Sequence, residues 1–182
     1  LMRGIREFHV SAAQVARDET DEKGNPLPDI CVPPKEPVVI ENRQFMKELL
    51  LHVGDCSFCT KLVRRDLFLQ DPFPVDKLNE DFHLLVRMLP RMGAVLSLPE
   101  QAYHVFYRIG SNSRKADRET FSTVYADCVE NADMVAEIVK RDYPELEETA
   151  FRFGIFQRLE YLLHIPISQM RKDNMVYRQI VA

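Results

Sequence analysis

Two adjacent carboxylates, Glu80 and Asp81, follow Asn79 at the predicted start of an amphipathic helix. Asn79 is a typical N-cap residue, and acidic residues are favoured in a helix's first turn. On helical spacing Asp81 shares a face with Leu84 and Leu85, so it points toward the protein body more than Glu80 does. A partly desolvated carboxylate beside a second one is a better proton acceptor near neutral pH. The pair can therefore deprotonate a sugar or alcohol hydroxyl, or it can simply stabilise its helix end.

The segment at residues 103–113, YHVFYRIGSNS, has side chains suited to an anionic ligand. Arg108 can place its planar guanidinium on phosphate oxygens, and Ser111 and Ser113 can donate hydrogen bonds beside a flexible glycine. Ser113 also suits the N-cap of the next helix, which would direct free N–H groups at an anion. The alternative is a core strand of alternating aromatic residues followed by an ordinary capped helix.

Three basic residues, Lys61, Arg64 and Arg65, form a small cluster upstream of the acidic pair. Cationic side chains of this kind stabilise the charge that develops on a diphosphate leaving group. They are also typical of a solvated surface, where Asp66 or Glu80 would pair with them. The sequence leaves both alternatives open.

Cys56 and Cys59 form a Cys-x-x-Cys pair, with His52 as a third potential metal ligand. A structural zinc site needs four well-placed ligands, and no second pair lies nearby in the sequence. A redox role would place the pair at a helix start in a thioredoxin-like βαβ unit, which this pattern does not predict. We therefore predict no metal site in this chain.

The composition narrows the class of protein. The 182 residues carry a formal net charge of −4, with 46% hydrophobic and 29% charged residues, which is ordinary for a folded globular protein. We expect no nucleic-acid partner, because such domains normally have a basic surplus. No apolar run approaches the roughly 20 residues that span a bilayer. Four cysteines are too few for a disulfide scaffold, so we expect a reducing, cytoplasmic location.

The first half of the chain is predicted to mix strands, turns and helices. A strand-like segment begins near Ile5, and DEKGNP predicts a turn after it. Five prolines in residues 26–37 predict an extended loop. Helical periodicity follows over residues 41–53 and again from Asn79. Downstream, AVLSLP and YHVFYR predict two separate strands.

The second half is predicted to be helical. Three helices are expected, over residues 114–141, 145–164 and 166–181. The apolar residues expected to face inward on the middle helix are Phe153, Phe156, Leu159, Leu162 and Leu163. The predicted fold class is therefore an α/β front, with a mixed sheet and flanking helices, followed by an all-α C-terminal helical segment. We predict the boundary between residues 1–113 and residues 114–182.

The ordered motifs resemble the second half of a family-two glycosyltransferase with the GT-A fold. In that family a K-L-[YF]-R-R-[ED]-L-F segment precedes a Phe-Pro turn, a Glu-Asp pair, a strand, and Y-x-Y-R with a Gly-Ser-x-Ser loop. The matching segments of this chain are KLVRRDLF at residues 61–68, Phe73-Pro74, Glu80-Asp81, YHVFYR at residues 103–108 and GSNS at residues 110–113. The resemblance covers roughly residues 1–115, and the helical tail lies outside it.

The resemblance implies an inverting transfer of a sugar from a nucleotide-sugar donor. Asp81 would be the general base that takes the proton of the acceptor hydroxyl, and Glu80 would position Asp81 or bind the acceptor. Arg108, Ser111 and Ser113 would lie near the donor diphosphate. The further candidate substrate-binding residues are Lys61, His104 and Tyr107.

The chain also departs from the family pattern. Val63 replaces an aromatic residue, and His104 interrupts the aromatic run. The nucleotide-binding half, with its Asp-x-Asp metal motif, has no counterpart, so the chain is expected to begin just after that motif. A divalent metal, Mn or Mg, is expected for the full-length enzyme, with ligands outside this chain.

Two functional hypotheses follow. The first is a glycosyltransferase fragment that acts in polysaccharide biosynthesis, in the cytoplasm or at the inner face of the membrane, on a glycan or lipid-linked acceptor. The second is a non-enzymatic α-helical interaction domain, in which Glu80 and Asp81 only stabilise a helix start. For the helical tail we weigh a cap on the core against a surface for a partner helix or for peripheral membrane contact, with Arg152, Arg158 and Arg171 nearby.

Overall fold

The computed structural model of the chain describes residues 1–107 and 122–182. These residues form two compact units. The first unit contains Leu1–Pro74 and the chain that begins at Glu80, and the second contains Val75–Asn79 and the C-terminal helices. The predicted boundary after residue 113 lies outside the described residues.

The first unit combines a sheet with helices that flank it. Its strands are β1 (Ala12–Thr20), β2 (Val38–Glu41), β3 (Lys61–Val63) and β4 (Ala94–Phe106). Its α-helices are α1 (Met2–Phe8), α2 (Asn42–Leu50), α3 (Arg65–Gln70) and α4 (Glu80–Met88). The strand order is β2-β4-β1-β3, with β1 and β4 parallel and the two outer strands antiparallel to their neighbours. The sheet is therefore mixed, as the sequence predicted.

The prediction of two separate strands over this part of the chain was wrong. AVLSLP and YHVFYR largely belong to one continuous strand of 13 residues. The pairing with β1 shifts in its middle, because Gln14 lies opposite Ser97 whereas Ala16 lies opposite Gln101. Pro99 lies in this interval and has no N–H to donate, so the irregularity occurs where regular pairing would fail. The strand continues past the shift instead of ending there.

The strand predicted from near Ile5 to the DEKGNP turn exists as β1, but it begins only at Ala12, because residues 2–8 form a helix. Helix α1 ends at His9, which has a φ of 53°. Ile5 packs on a cluster formed by Val10, Ala13 and Leu96. The apolar residue at the start of the predicted strand is therefore partly buried, and it packs from a helix instead.

The turn and the loop that follow β1 were predicted correctly. The Asp21 carboxylate accepts hydrogen bonds from the backbone N–H of Lys23 and of Asn25, each at 2.8 Å. Gly24 has a φ of 82°, a region that glycine enters without steric cost. The loop over residues 26–37 has no regular secondary structure.

Helices α2 and α4 provide most of the core around the sheet. Their fully buried apolar residues are Phe45, Met46, Leu84, Leu85, Val86 and Met88. On the sheet, Ala12, Ala13, Val95 and Leu96 are fully buried as well. Helix α4 begins at Glu80, directly after Asn79, as its capping pattern predicted. Its apolar stripe fixes which way the acidic first turn points.

The C-terminal part of the second unit is mainly helical over its described residues. Its α-helices are α5 (Val124–Asp142), α6 (Glu147–His164) and α7 (Met175–Val181). Tyr143 separates α5 from the next turn, as predicted. Val129, Tyr161 and Ile165 form a buried cluster, and the Tyr161 hydroxyl donates to Asn174 Oδ1 at 3.1 Å. In the described parts of the chain, no helix is long and apolar enough to cross a membrane.

The predicted inward face of α6 was partly wrong. Phe153 is buried, but Phe156, Leu159 and Leu163 are exposed. The residues that α6 buries are Ala150, Phe153, Gly154, Gln157 and Tyr161. The small side chains at positions 150 and 154 allow close helix packing, which hydrophobicity alone does not reveal.

Candidate functional site

Asp81 is half-buried in the first turn of α4. Its Oδ2 accepts a hydrogen bond of 3.1 Å from the backbone N–H of Phe58. Phe58 lies 23 residues earlier in the chain, so this bond ties α4 to a different segment of the first unit. Among the described residues, Oδ1 of Asp81 has no such bond, which orients the carboxylate and leaves one oxygen to accept a proton. Glu80 is half-buried beside it.

A loop at residues 55–61 presents the Phe58 amide. The buried Asp55 carboxylate accepts from the Ser57 N–H at 3.0 Å and from Thr60 Oγ1 at 2.5 Å. The Thr60 side chain is fully buried. An aspartate that accepts from a residue two positions later makes a compact local turn. The loop is therefore held from inside, independently of any ligand.

Lys61 lies inside this same loop. Its ammonium donates to the carbonyl oxygens of Asp55 and Ser57 at 2.6 and 2.8 Å, and to Thr60 Oγ1 at 3.3 Å. It also lies 3.5 Å from Asp55 Oδ2, and its side chain is fully buried. Burial lowers the pKa of Lys61, although the Asp55 charge opposes this shift. With all three N–H donors occupied, Lys61 suits a role that supports the loop better than direct contact with a diphosphate.

The other members of the predicted basic cluster lie elsewhere. Arg64 is exposed, and its guanidinium forms a bidentate pair with Asp66 at 3.0 and 2.8 Å. Arg65 is exposed at the start of α3. This pairing is the solvated-surface alternative that the sequence left open for Arg64.

Three phenylalanines form a cluster beside the bond that holds Asp81. The ring centroid of Phe58 lies 5.6 Å from that of Phe68 and 5.2 Å from that of Phe73, and Phe68 and Phe73 stack at 6.0 Å. Phe73 is 45% exposed. The sequence predicted the Phe73-Pro74 turn, but it did not predict that three separated aromatic residues would meet.

Asp71 fixes the turn that carries Phe73 onto α4. Its carboxylate is buried and accepts from Arg87 Nε at 3.0 Å and from Arg87 Nη2 at 2.8 Å. The Arg91 guanidinium donates to the other carboxylate oxygen. Burial alone would raise the pKa of Asp71, but the bonds from Arg91 and Arg87 outweigh it and the pKa is lowered. This ion pair therefore connects the aromatic cluster to the helix of Asp81.

Tyr103 of β4 belongs to the same region. Its hydrogen bond with Cys59 raises the pKa of its hydroxyl, and the negative charge of Asp81 acts in the same direction. Burial raises the pKa of the Cys56 thiol to about 11, with further contributions from Asp55 and Asp81. A thiol with so high a pKa is a poor nucleophile. Within the Cys-x-x-Cys pair, Cys59 therefore serves as a hydrogen-bond partner of Tyr103.

His104 lies away from this group. Consecutive side chains of a strand point to opposite faces of a sheet, so His104 faces away from the side of Tyr103. Its Nδ1 lies 2.8 Å from Asp18 Oδ1, and the two residues are direct neighbours across β1 and β4. Its predicted contact with substrate stays a prediction, and its ring nitrogen is engaged by Asp18 on this other face.

Tyr107 is half-buried just after β4, and its backbone N–H donates to the Thr20 carbonyl at 2.7 Å. Three predicted diphosphate-binding residues, Arg108, Ser111 and Ser113, lie outside the described residues. Their roles stay predictions.

Arg17 of β1 is a residue that the sequence analysis missed. Its Nη2 lies 3.7 Å from Oε1 of the buried Glu19, and its charge influences Cys31, Cys56 and Tyr103. The available signal was a pair of opposite charges two residues apart in a strand, which places both on one face.

The described residues, 1–107 and 122–182, contain no group of three or more His, Cys, Asp or Glu side chains that could hold a metal ion. The Mn or Mg ion expected for the full-length enzyme stays a prediction.

No protein-family model matches the chain, and no curated protein matches it. Among solved structures, the chain is similar to residues 1–349 of S. aureus TarS, which was crystallised in complex with UDP-GlcNAc. The sequences are 15% identical and the TM-score is 0.47. The match covers 98% of this chain and 60% of the TarS chain, so this chain spans well under two thirds of that protein's solved length. A likeness of this size carries no argument about function.

Proposed function

We propose that this chain is the acceptor-side part of an inverting glycosyltransferase, which moves a sugar from a nucleotide-sugar donor to a hydroxyl of a glycan or lipid-linked acceptor. The observation that carries the proposal is the position of Asp81. Its carboxylate is half-buried and held at Oδ2 by the Phe58 amide, with Tyr103 and the aromatic cluster close by. The ordered family-like motifs of the sequence support the same assignment.

In the proposed reaction the acceptor hydroxyl gives its proton to Oδ1 of Asp81, while its oxygen attacks the anomeric carbon of the donor. The new carbon–oxygen bond forms as the bond between that carbon and the diphosphate oxygen breaks. The nucleoside diphosphate leaves with the bonding electron pair. Attack from the face opposite the leaving group inverts the anomeric centre.

The residues around Asp81 would each support this step. The Phe58 N–H fixes the carboxylate, so that little reorientation is needed when the proton moves. The partly exposed ring of Phe73 offers an apolar surface against which the C–H face of a sugar can pack. Glu80, one residue away, would bind a second acceptor hydroxyl. The donor diphosphate, and the Mn or Mg expected with it, would be held by residues outside the described part of the chain.

The test replaces Asp81 by Asn in the full-length protein. The shape and the bond to Phe58 are retained, but the side chain can no longer accept the proton. We expect transfer to fall by about 10²- to 10⁴-fold, while nucleotide-sugar binding, measured by calorimetry, stays within about twofold of wild type.

Asp66→Asn is the matched control, because it removes an exposed carboxylate from the same unit. Its transfer rate should equal that of wild type. Wild-type turnover in Asp81→Asn would remove Asp81 from the mechanism.

One observation favours the second hypothesis, a protein-interaction domain. Phe151, Leu159 and Leu163 of α6 are 69%, 53% and 75% exposed. They lie at multiples of four residues and share one face of the helix. Under this hypothesis, charged substitutions at these positions would abolish the protein's biological effect, whereas Asp81→Asn would leave it intact.

A further inference from the structure

A large cavity lies in the first unit. Its volume is about 1020 Å³, and its lining does not include Asp81. The walls come from the proline-rich loop at residues 30–34, from β2 and from α2, and the floor comes from β1 at residues 14–17. This volume lies at the upper end of the range of small-molecule sites.

The walls of the cavity are mainly apolar and partly exposed. Val32 of the loop, Val38 and Val39 of β2, and Leu51 and Val53 beyond α2 line it and are all exposed. Apolar side chains gathered around one concave surface gain free energy when an apolar molecule covers them. The walls therefore favour an aliphatic or otherwise apolar body.

Two residues of the cavity lining, Gln14 and Arg17, each have a buried polar atom without a hydrogen-bond partner in the described part of the chain. Gln14 is only 8% exposed, and its Nε2 donates to Ser97 Oγ at 3.2 Å. Its Oε1 is buried and has no hydrogen-bond partner among the described residues. Arg17 Nε is also buried, and it too has no hydrogen-bond partner among the described residues. Native structures rarely leave such atoms unpaired, because burial without a hydrogen bond is unfavourable.

The two atoms have complementary requirements. Gln14 Oε1 needs a donor, and the N–H of Arg17 needs an acceptor. Charge is already balanced nearby, since Arg17 lies beside Glu19 and Asp55 lies beside Lys61. The group that fits is therefore neutral, with both an N–H or O–H donor and an oxygen acceptor.

We propose that this cavity binds a neutral amphiphile, an apolar chain that ends in a primary amide or hydroxyl group, with the head on Gln14 and Arg17 and the chain along the valine-lined walls. The site is separate from Asp81 and does not depend on the proposed glycosyl transfer. It adds a second ligand to the protein beyond donor and acceptor.

The test is isothermal titration calorimetry of the chain with two probes of equal length, octanamide and methyl octanoate. Both carry a carbonyl acceptor, but only the amide can donate to Gln14 Oε1. We expect octanamide to bind wild type at least tenfold more tightly than the ester. In Gln14→Leu this preference should disappear, because the orphan acceptor is gone.

Gln44→Leu is the matched control, since Gln44 also lines the cavity but is exposed and bonded to Glu48. It should keep the preference for the amide. Equal affinities of both probes for wild type, a preference retained in Gln14→Leu, or no binding of octanamide would each overturn the proposal.

A second measurement needs no variant. Cys31 lines the cavity and is half-buried, whereas Cys128 is half-buried in the second unit. Octanamide should slow iodoacetamide labelling of Cys31 and leave Cys128 unchanged, as read by peptide mass spectrometry. Equal labelling rates of Cys31 with and without octanamide contradict the site even if Gln14→Leu fails to fold.

Discussion

The loop at residues 55–61 and the floor of the cavity at residues 14–17 both contain buried polar groups, and Asp55 of the loop also lines the cavity. In the loop, the ammonium of Lys61 has three acceptors and Asp55 has two donors as well as the nearby charge. On the floor, one atom of Gln14 and one of Arg17 have no partner among the described residues.

The difference separates scaffold from ligand site. A fully partnered network gains from low dielectric and becomes rigid, so it can hold the Phe58 amide on Asp81. A polar network with unpartnered buried atoms is unfavourable until another molecule supplies the missing hydrogen bonds. Partners, rather than polarity itself, therefore distinguish the two regions.

The largest expected effect is in the loop. Lys61→Met should lower the free energy of unfolding by about 3–5 kcal/mol, because it leaves the buried Asp55 carboxylate without its cation. Urea denaturation measures this change. Lys35→Met, at an exposed position, is the control and should change the stability by less than about 0.5 kcal/mol. A loss from Lys61→Met no larger than that of the control would show that the loop does not depend on its buried ion pair.

Asp71 is a second fully partnered buried group, and its contribution to stability should depend on pH. Its pKa is lowered because the bonds from Arg91 and Arg87 outweigh the effect of burial. A carboxylate whose pKa is lower in the folded state stabilises the fold above its ordinary pKa, and this contribution disappears as the pH falls through the folded pKa. Asp71→Asn should cost about 2 kcal/mol near neutral pH and should lose less stability than wild type on acidification.

Urea denaturation at about pH 7 and about pH 3 measures how much free energy of unfolding wild type and Asp71→Asn each lose on acidification. Asp66→Asn, which removes an exposed carboxylate, serves as the control. Equal losses of stability in wild type and Asp71→Asn would mean that this ion pair does not contribute to acid sensitivity.

The smallest expected effect is on the floor. Gln14→Leu removes an unpartnered acceptor together with one bond to Ser97. Removing the unpartnered acceptor stabilises the fold, whereas losing the bond to Ser97 destabilises it. The free energy of unfolding should therefore change by less than about 1 kcal/mol. Thermal unfolding without added ligand measures it. A loss as large as that of Lys61→Met would place Gln14 in the scaffold and remove the contrast between the two regions.

Much of the fold followed from short-range pattern. The turn at Asp21, the helical periodicity of α2, and the start of α4 at Glu80 depend on residues within a few positions of each other. The errors arose where burial overrode local preference. Ile5 packs on the sheet from a helix, and Leu159 is exposed although its spacing suggested a core position.

Only part of the candidate site could be predicted from short-range sequence patterns. Glu80 and Asp81 could be predicted as candidates at a helix start, because their spacing and helix position carry a local signal. Arg17, Asp55 and the aromatic cluster were missed, because their importance depends on partners that are distant in sequence. No local pattern indicates that Phe58 and Phe73 share one cluster.

The sequence by itself determined that an α/β segment is followed by a helical segment. It also determined the helix that begins with Glu80 and Asp81 and the order of the family-like motifs. Tertiary structure decided that Phe58 holds Asp81 across 23 residues, that Lys61 is buried inside its loop, and that Gln14 meets Ser97 across 83 residues. The physical reason is that caps, turns and periodicity act within one or two helical turns. Burial and hydrogen-bond satisfaction depend instead on which distant segments the sheet brings together.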